Sequence, residues 1–165
     1  MLNILETGTA TDKPTLVIVH GLYGSGRNWG VVAKHLSATR RVIAVDQRNP
    51  GLSPWHNSHS YADMAADLVG VIDAVGGPVD LLGHSMGGKA AMVLAVTQPE
   101  LLRSLIVADI APVTYTHSQT QFIDAMRRVD LDQVEKRSDA LEMLATSVDD
   151  PTLRAFFTQS LDIKG

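Results

Sequence analysis

Ser85 is the residue of this chain best placed to do chemistry. It lies in Gly83-His84-Ser85-Met86-Gly87, which follows the apolar run Val79-Asp80-Leu81-Leu82 and precedes the helix-like run Lys89-Ala90-Ala91-Met92-Val93-Leu94-Ala95. A G-x-S-x-G between a strand and a helix is a nucleophile elbow, a tight turn that lifts a serine hydroxyl off a sheet. The turn forces the serine into a strained backbone conformation, and side chains at Gly83 or Gly87 would collide with the neighbouring strand or helix. Gly88 extends this small surface. The bland reading is a Gly-rich strand-to-helix turn with an incidental serine.

A lone hydroxyl is a poor nucleophile and needs a base and oxyanion donors. The Met86 N–H, one residue past the serine at the helix start, is the expected first donor. The second is expected from the loop after the first parallel strand, His20-Gly21-Leu22-Tyr23-Gly24-Ser25-Gly26. Gly21 lets the chain turn sharply, which would aim the Leu22 N–H at the same point. His20 reads as a group that holds this loop rather than one that transfers protons, and His84 is treated likewise. The same loop nearly fits the phosphate-binding G-x-x-x-x-G-K-[ST]. Arg27 and Asn28 stand where the lysine and the hydroxyl are needed, so a nucleotide site is set aside.

Asp109, directly after the last strand pattern, would sit on the same sheet edge as Ser85 and could orient a histidine. Asp46 has a comparable place, but reads as a carboxylate satisfied by loop amides around Gln47-Arg48-Asn49. The base is the difficulty. Of the six histidines (20, 35, 56, 59, 84 and 117), only His117 follows the serine in a loop that could reach it. His56 and His59 flank a Trp55 loop without a third ligand, so no metal site is expected.

The elements that must position these groups alternate. Residues 2–6 form a short strand candidate. Residues 15–19, 41–45, 79–82 and 104–108 are continuous apolar runs, the pattern of strands buried on both faces of a parallel sheet. Helical patterns cover 29–36, with apolar residues at 29, 32, 33 and 36, and 61–75, with a stripe at 61, 64, 65, 68, 72 and 75. Residues 89–97 are apolar nearly all round and predict a buried central helix. Strand alternating with helix implies an α/β fold with right-handed crossovers. After Pro112 only helical segments are expected, roughly 120–129, 131–137, 139–146 and 151–161. Residues 1–113 then read as the core and 114–165 as a helical cap over the ligand crevice, or as a helical tail on the sheet edge.

Composition narrows the function classes. The 165 residues are 45% hydrophobic, with a net charge of −4 and no cysteine. This balance excludes a basic nucleic-acid surface, a disulfide framework and a thiolate metal site. Neither a signal peptide nor a bilayer-spanning stretch is expected, which makes a cytoplasmic enzyme the default.

With these motifs assembled, the chain resembles the α/β-hydrolase superfamily, and within it a branch of small esterases and acyl-CoA thioesterases. Four stretches carry the resemblance: Val19 through Ser25, Val45 through Pro54 (V-D-Q-R-N-P-G-L-S-P), Leu82 through Met92, and Val107 through Val113. Pro50 departs from the branch, which usually has histidine there. The resemblance implies Ser85 as nucleophile, Asp109 as the acid, Leu22 and Met86 as oxyanion donors, and no cofactor. It also implies two more strands and a catalytic histidine beyond the cap. The chain is therefore expected to be a segment of a longer hydrolase whose C-terminal remainder completes the fold. Without that histidine Ser85 should be nearly inert; in subtilisin the equivalent loss costs about 10⁶ in turnover. The expected function is hydrolysis of a small-molecule carboxylic ester or thioester through an acyl-serine, with neither nucleic acid nor membrane as partner. The alternative is a non-catalytic binding protein of the same fold with an incomplete triad.

Overall fold

The computed structural model describes residues 1–116 and 118–163. Among these residues five strands form one sheet: β1 (Ile4–Thr7), β2 (Leu16–Val19), β3 (Val42–Val45), β4 (Val79–His84) and β5 (Leu102–Ala108), in the order β1-β3-β2-β4-β5. Only β1 is antiparallel, pairing Ile4 with Val45 and Thr7 with Val42. The other strands run parallel, with Val19 level with both Val45 and Gly83, and His84 level with Ala108.

The order in which strands are added reverses at β2. From β2 the chain passes through α1 (Gly30–Leu36) to β3 on one side, then through α2 (Tyr61–Val75) to β4 on the other, and through α3 (Met86–Thr97) to β5. Right-handed crossovers then require α1 on one face of the sheet and α2 and α3 on the opposite face. The core divides accordingly. Leu16, Ile18 and Val42 pack with Ala33, whereas Val17, Val19, Ile43 and Val45 pack with Met64, Leu68, Ile72, Ala90 and Leu94. Alternate residues of one strand face opposite layers, so β2 and β3 are buried on both sides.

Local chemistry sets the helix ends. The Ser60 hydroxyl accepts from the Asp63 N–H while the Asp63 carboxylate accepts from the Ser60 N–H, a reciprocal cap at the start of α2. Gly76, with φ of 82°, ends it in the left-handed conformation. A buried arginine fastens the loop after β3 to this helix. Arg48 donates Nε–H to Asp67 Oδ2 at 2.6 Å and Nη2–H to Oδ1 at 2.9 Å, and it also reaches the Ser58 carbonyl.

Several expectations need correction. The helix expected at 29–36 begins as a 3₁₀ turn, Gly26–Trp29, before α1. α3 starts three residues earlier than the apolar run because the elbow feeds straight into it. It is not buried all round: Ala90, Ala91 and Leu94 are in the core, but Val96 is exposed. β5 is less buried than β2 and β3, with Ile106 half exposed; among the described residues it pairs only with β4, as expected of a segment whose further strands lie outside it.

The chain divides into two compact units, Met1–Val113 and Thr114–Gly165. Within the second, α4 (Thr120–Arg127), α5 (Arg137–Ala145) and α6 (Pro151–Thr158) are the helices, and Phe122 and Phe157 meet with ring centroids 5.2 Å apart. Asp150 caps α6 by accepting from the Thr152 N–H, with Pro151 in its first turn. The helix expected at 131–137 is only a 3₁₀ turn, Leu131–Gln133. Among the described residues no helix is long and apolar enough to cross a membrane.

At the far end of the sheet, Asp80 accepts from the Ser104 hydroxyl and from Arg40 Nη1–H, both at 2.6 Å. Burial pushes its carboxyl up, but Ser104 and Arg40 outweigh burial and hold it below the ordinary value of 3.8. A carboxylate depressed on folding contributes stability that is present above its unfolded value and lost as pH falls through the folded one. Asp80→Asn should therefore cost about 1–3 kcal/mol at pH 7. Urea denaturation should show that gap unchanged at pH 5 and closing below the ordinary carboxylate value.

Candidate active site

The crevice of an open parallel sheet lies beyond the carboxyl ends of its strands, where the strand order reverses. Here that point is between β2 and β4, and the segments leaving those strands are the His20–Gly26 loop and the turn at Ser85. Ser85 itself has φ of 50° and ψ of −118°, and is the residue that precedes α3. A non-glycine residue held at positive φ stores about 1–3 kcal/mol.

Three glycines permit the turn by close approach. A Cβ on Gly83 would lie 2.6 Å from the Gly87 carbonyl oxygen, and one on Gly87 would lie 2.5 Å from that of His20. α3 is thereby pressed against the ends of β2 and β4. Gly21 differs from the sequence expectation, because the positive φ of its turn belongs to Tyr23, at 61°. What Gly21 supplies is room: a Cβ there would meet His84 Nδ1 at 2.9 Å and Ser85 Cβ at 3.1 Å. The Gly24 N–H closes this turn onto the Gly21 carbonyl at 3.1 Å. The backbone leading into Leu22 is thus packed directly on Ser85. From the other side, Met86 opens α3, and a first-turn amide has no acceptor within its own helix. The positive end of the helix dipole adds to the field there.

His20 is 1% exposed and both its ring nitrogens are engaged. Nδ1–H donates to the Gly21 carbonyl at 2.8 Å, and Nε2 accepts from the Gln47 N–H at 3.0 Å. Burial lowers its pKa, against the smaller opposing effects of the Gly21 carbonyl and the Asp46 charge, so the ring is held neutral. Its bonds are those of a loop brace. His84 stands its ring against Trp29, edge to face at 5.8 Å, with Nε2 3.8 Å from Asp109 Oδ2.

Asp109 follows β5 with φ of 56°, beside the elbow, because the Ser85 N–H donates to the Ala108 carbonyl at 2.9 Å. Its side chain is 86% exposed. Asp46 is buried and structural in its bonding, but not to the amides expected: it accepts from the Gly26 and Leu52 N–H groups and from Asn3 Nδ2. His56 lines a separate cavity of about 330 Å³ with Met1, Leu2, Pro54, Asp67 and Val71. Among the described residues no cluster of His, Asp or Glu could hold a metal ion. His117 lies outside the described residues.

Trp29 and Gln47 belong to this neighbourhood and had no signal in the sequence. Trp29 reads as part of a helix stripe, and Gln47 meets its partner only because β2 and β3 are adjacent. One regularity is informative in retrospect. The four non-glycine residues at positive φ among the described residues, Tyr23, Asn49, Ser85 and Asp109, lie just past β2, β3, β4 and β5. Backbone strain is concentrated on one sheet edge, as at functional sites.

Comparison with known proteins agrees with this geometry. The family profile described as the alpha/beta hydrolase fold matches residues 14–156. The sn-1-specific diacylglycerol lipase ABHD11 of Mus musculus is 39% identical over 96% of this chain and 54% of its own length. Esterase YbfF of Escherichia coli is 35% identical over 90% of this chain and 59% of its own. A solved marine microorganism esterase superposes with a TM-score of 0.89 at 36% identity, covering 99% of this chain and 64% of that one. The chain thus spans little more than half the length of these curated relatives. Its strand order, its elbow and these matches agree, and the chain belongs to the α/β-hydrolase family.

Proposed function

We propose that this chain carries the nucleophile and oxyanion side of a serine hydrolase acting on small carboxylic esters or thioesters. The observation that carries this reading is the turn at Ser85: a strained φ of 50° at the end of β4, with the Gly21 backbone packed on the serine and α3 starting at the next residue. In this reading the Ser85 Oγ attacks the acyl carbonyl and the Leu22 and Met86 N–H groups hold the resulting oxyanion. The alcohol or thiol departs with a proton, and water releases the acid from the acyl-serine. No bound cofactor takes part in these steps. Relatives named as lipases and esterases support the substrate class.

The proton acceptor is the remaining part. His20 has both ring nitrogens engaged, and His84 directs Nε2 toward Asp109. We assign the base to a histidine from a segment of the same protein beyond the residues of this chain, oriented by Asp109. Residues 1–113 then form the hydrolase core and 114–165 its cap segment.

The test is a panel of p-nitrophenyl esters and acyl-CoA thioesters on protein expressed from its complete reading frame. Ester or thioester hydrolysis that disappears in Ser85→Ala, with loss of fluorophosphonate labelling, is the expected result. A folded protein that hydrolyses none of them and takes no label at any pH is instead a binding protein with an incomplete triad. Gly21→Ala should lower kcat by about 10²–10³, the cost of one misplaced oxyanion donor. A kcat equal to wild type would remove Leu22 from the mechanism.

A further inference from the structure

We propose that Gln47 is a positioning residue for the oxyanion loop, its side-chain amide fixing where the Leu22 N–H points. The inference rests on the serine-hydrolase reading above. Gln47 is 1% exposed and holds His20 twice. Its Nε2–H donates to the His20 carbonyl at 2.7 Å, and its backbone N–H donates to the His20 ring at 3.0 Å. His20 in turn grips the Gly21 carbonyl at 2.8 Å, and Gly21 lies against Ser85. An unbroken series of short contacts therefore runs from the end of β3 to the residue before Leu22.

The other end of the amide makes this more than packing. Gln47 Oε1 is buried and has no hydrogen-bond partner among the described residues. An unpaired buried acceptor is destabilising. Turning the amide over would not cure it, because the oxygen would then face the His20 carbonyl and that bond would be lost. The position thus retains an orphaned acceptor together with a donor on the loop. An apolar side chain would fill the same space without that penalty, but it would release the His20 carbonyl.

Gln47→Glu tests the donor directly. A protonated carboxyl can donate to the His20 carbonyl as the amide does, whereas a carboxylate repels it. The charged and titratable groups around this position are His20 on the loop after β2, Asp46 and Arg48 on either side of Gln47 just past β3, Asp63 and Asp67 of α2 paired with Arg48, and His84 at the end of β4, whose charge acts on His20. All are present in wild type, so the ratio of variant to wild-type kcat is read against pH. That ratio should stay near one at low pH and fall about 10- to 100-fold as the new carboxyl ionises, with KM little changed. Gln47→Leu should show a fall of similar size at every pH. Hydrogen exchange at the Gly24 amide, which closes the same turn, should quicken in Gln47→Leu and reads the brace without turnover. A flat kcat ratio in Gln47→Glu, or wild-type kcat or Gly24 exchange in Gln47→Leu, overturns the assignment. Wild-type activity that is absent, or that survives Ser85→Ala, overturns the serine-hydrolase reading instead, while the Gly24 exchange still decides the brace.

Discussion

The structure depends on a single steric constraint, the approach of three backbones at the ends of β2 and β4. The loop after β2, the turn at Ser85 and the first turn of α3 converge so closely that Gly21, Gly83 and Gly87 each lack room for a methyl group. That convergence holds Ser85 at a backbone angle it would not choose in isolation. Strain of about 1–3 kcal/mol is small beside what burial of β2, β3 and β4 between two helical layers supplies. A turn of this kind persists because the sheet and α3 over-determine it.

The same constraint links fold to chemistry. The order in which strands are added reverses at β2, so the serine and the loop packed on it arrive from neighbouring parallel strands. Their relative position is set by sheet register, with Val19 level with Gly83, rather than by a flexible connection. Braces then stiffen each loop. Asp46 ties together Asn3, Gly26 and Leu52, Arg48 locks the next segment onto α2, and His20 holds the Gly21 turn. Buried donors on one element meet buried acceptors on another, which holds the loop backbones in place relative to the strands.

Much of this was legible in the sequence. The apolar runs became β2, β3 and β4, and the stripe at 61–75 became α2 with those bounds. The elbow was legible because its glycines have a local steric cause. What periodicity could not supply was lateral order. Nothing in the run at 104–108 distinguishes it from those at 15–19 and 41–45, although among the described residues β5 pairs on one side only. Likewise α3 is apolar almost throughout but covers only one side of itself. Asp46 was read as structural, but its partners come from residues 3, 26 and 52, which local reasoning cannot reach. Gln47 and Trp29 were invisible for the same reason.

The central claim is spatial: a hydroxyl on a strained turn faces two main-chain amides across a narrow gap. The most direct measurement is a crystal structure with an arylboronic acid, whose tetrahedral adduct mimics the acylation intermediate. The account predicts boron bonded to Ser85 Oγ, with one boronate oxygen about 2.7–3.1 Å from both the Leu22 and Met86 nitrogens. An adduct on another residue, or one whose oxygens turn away from both amides, would contradict it.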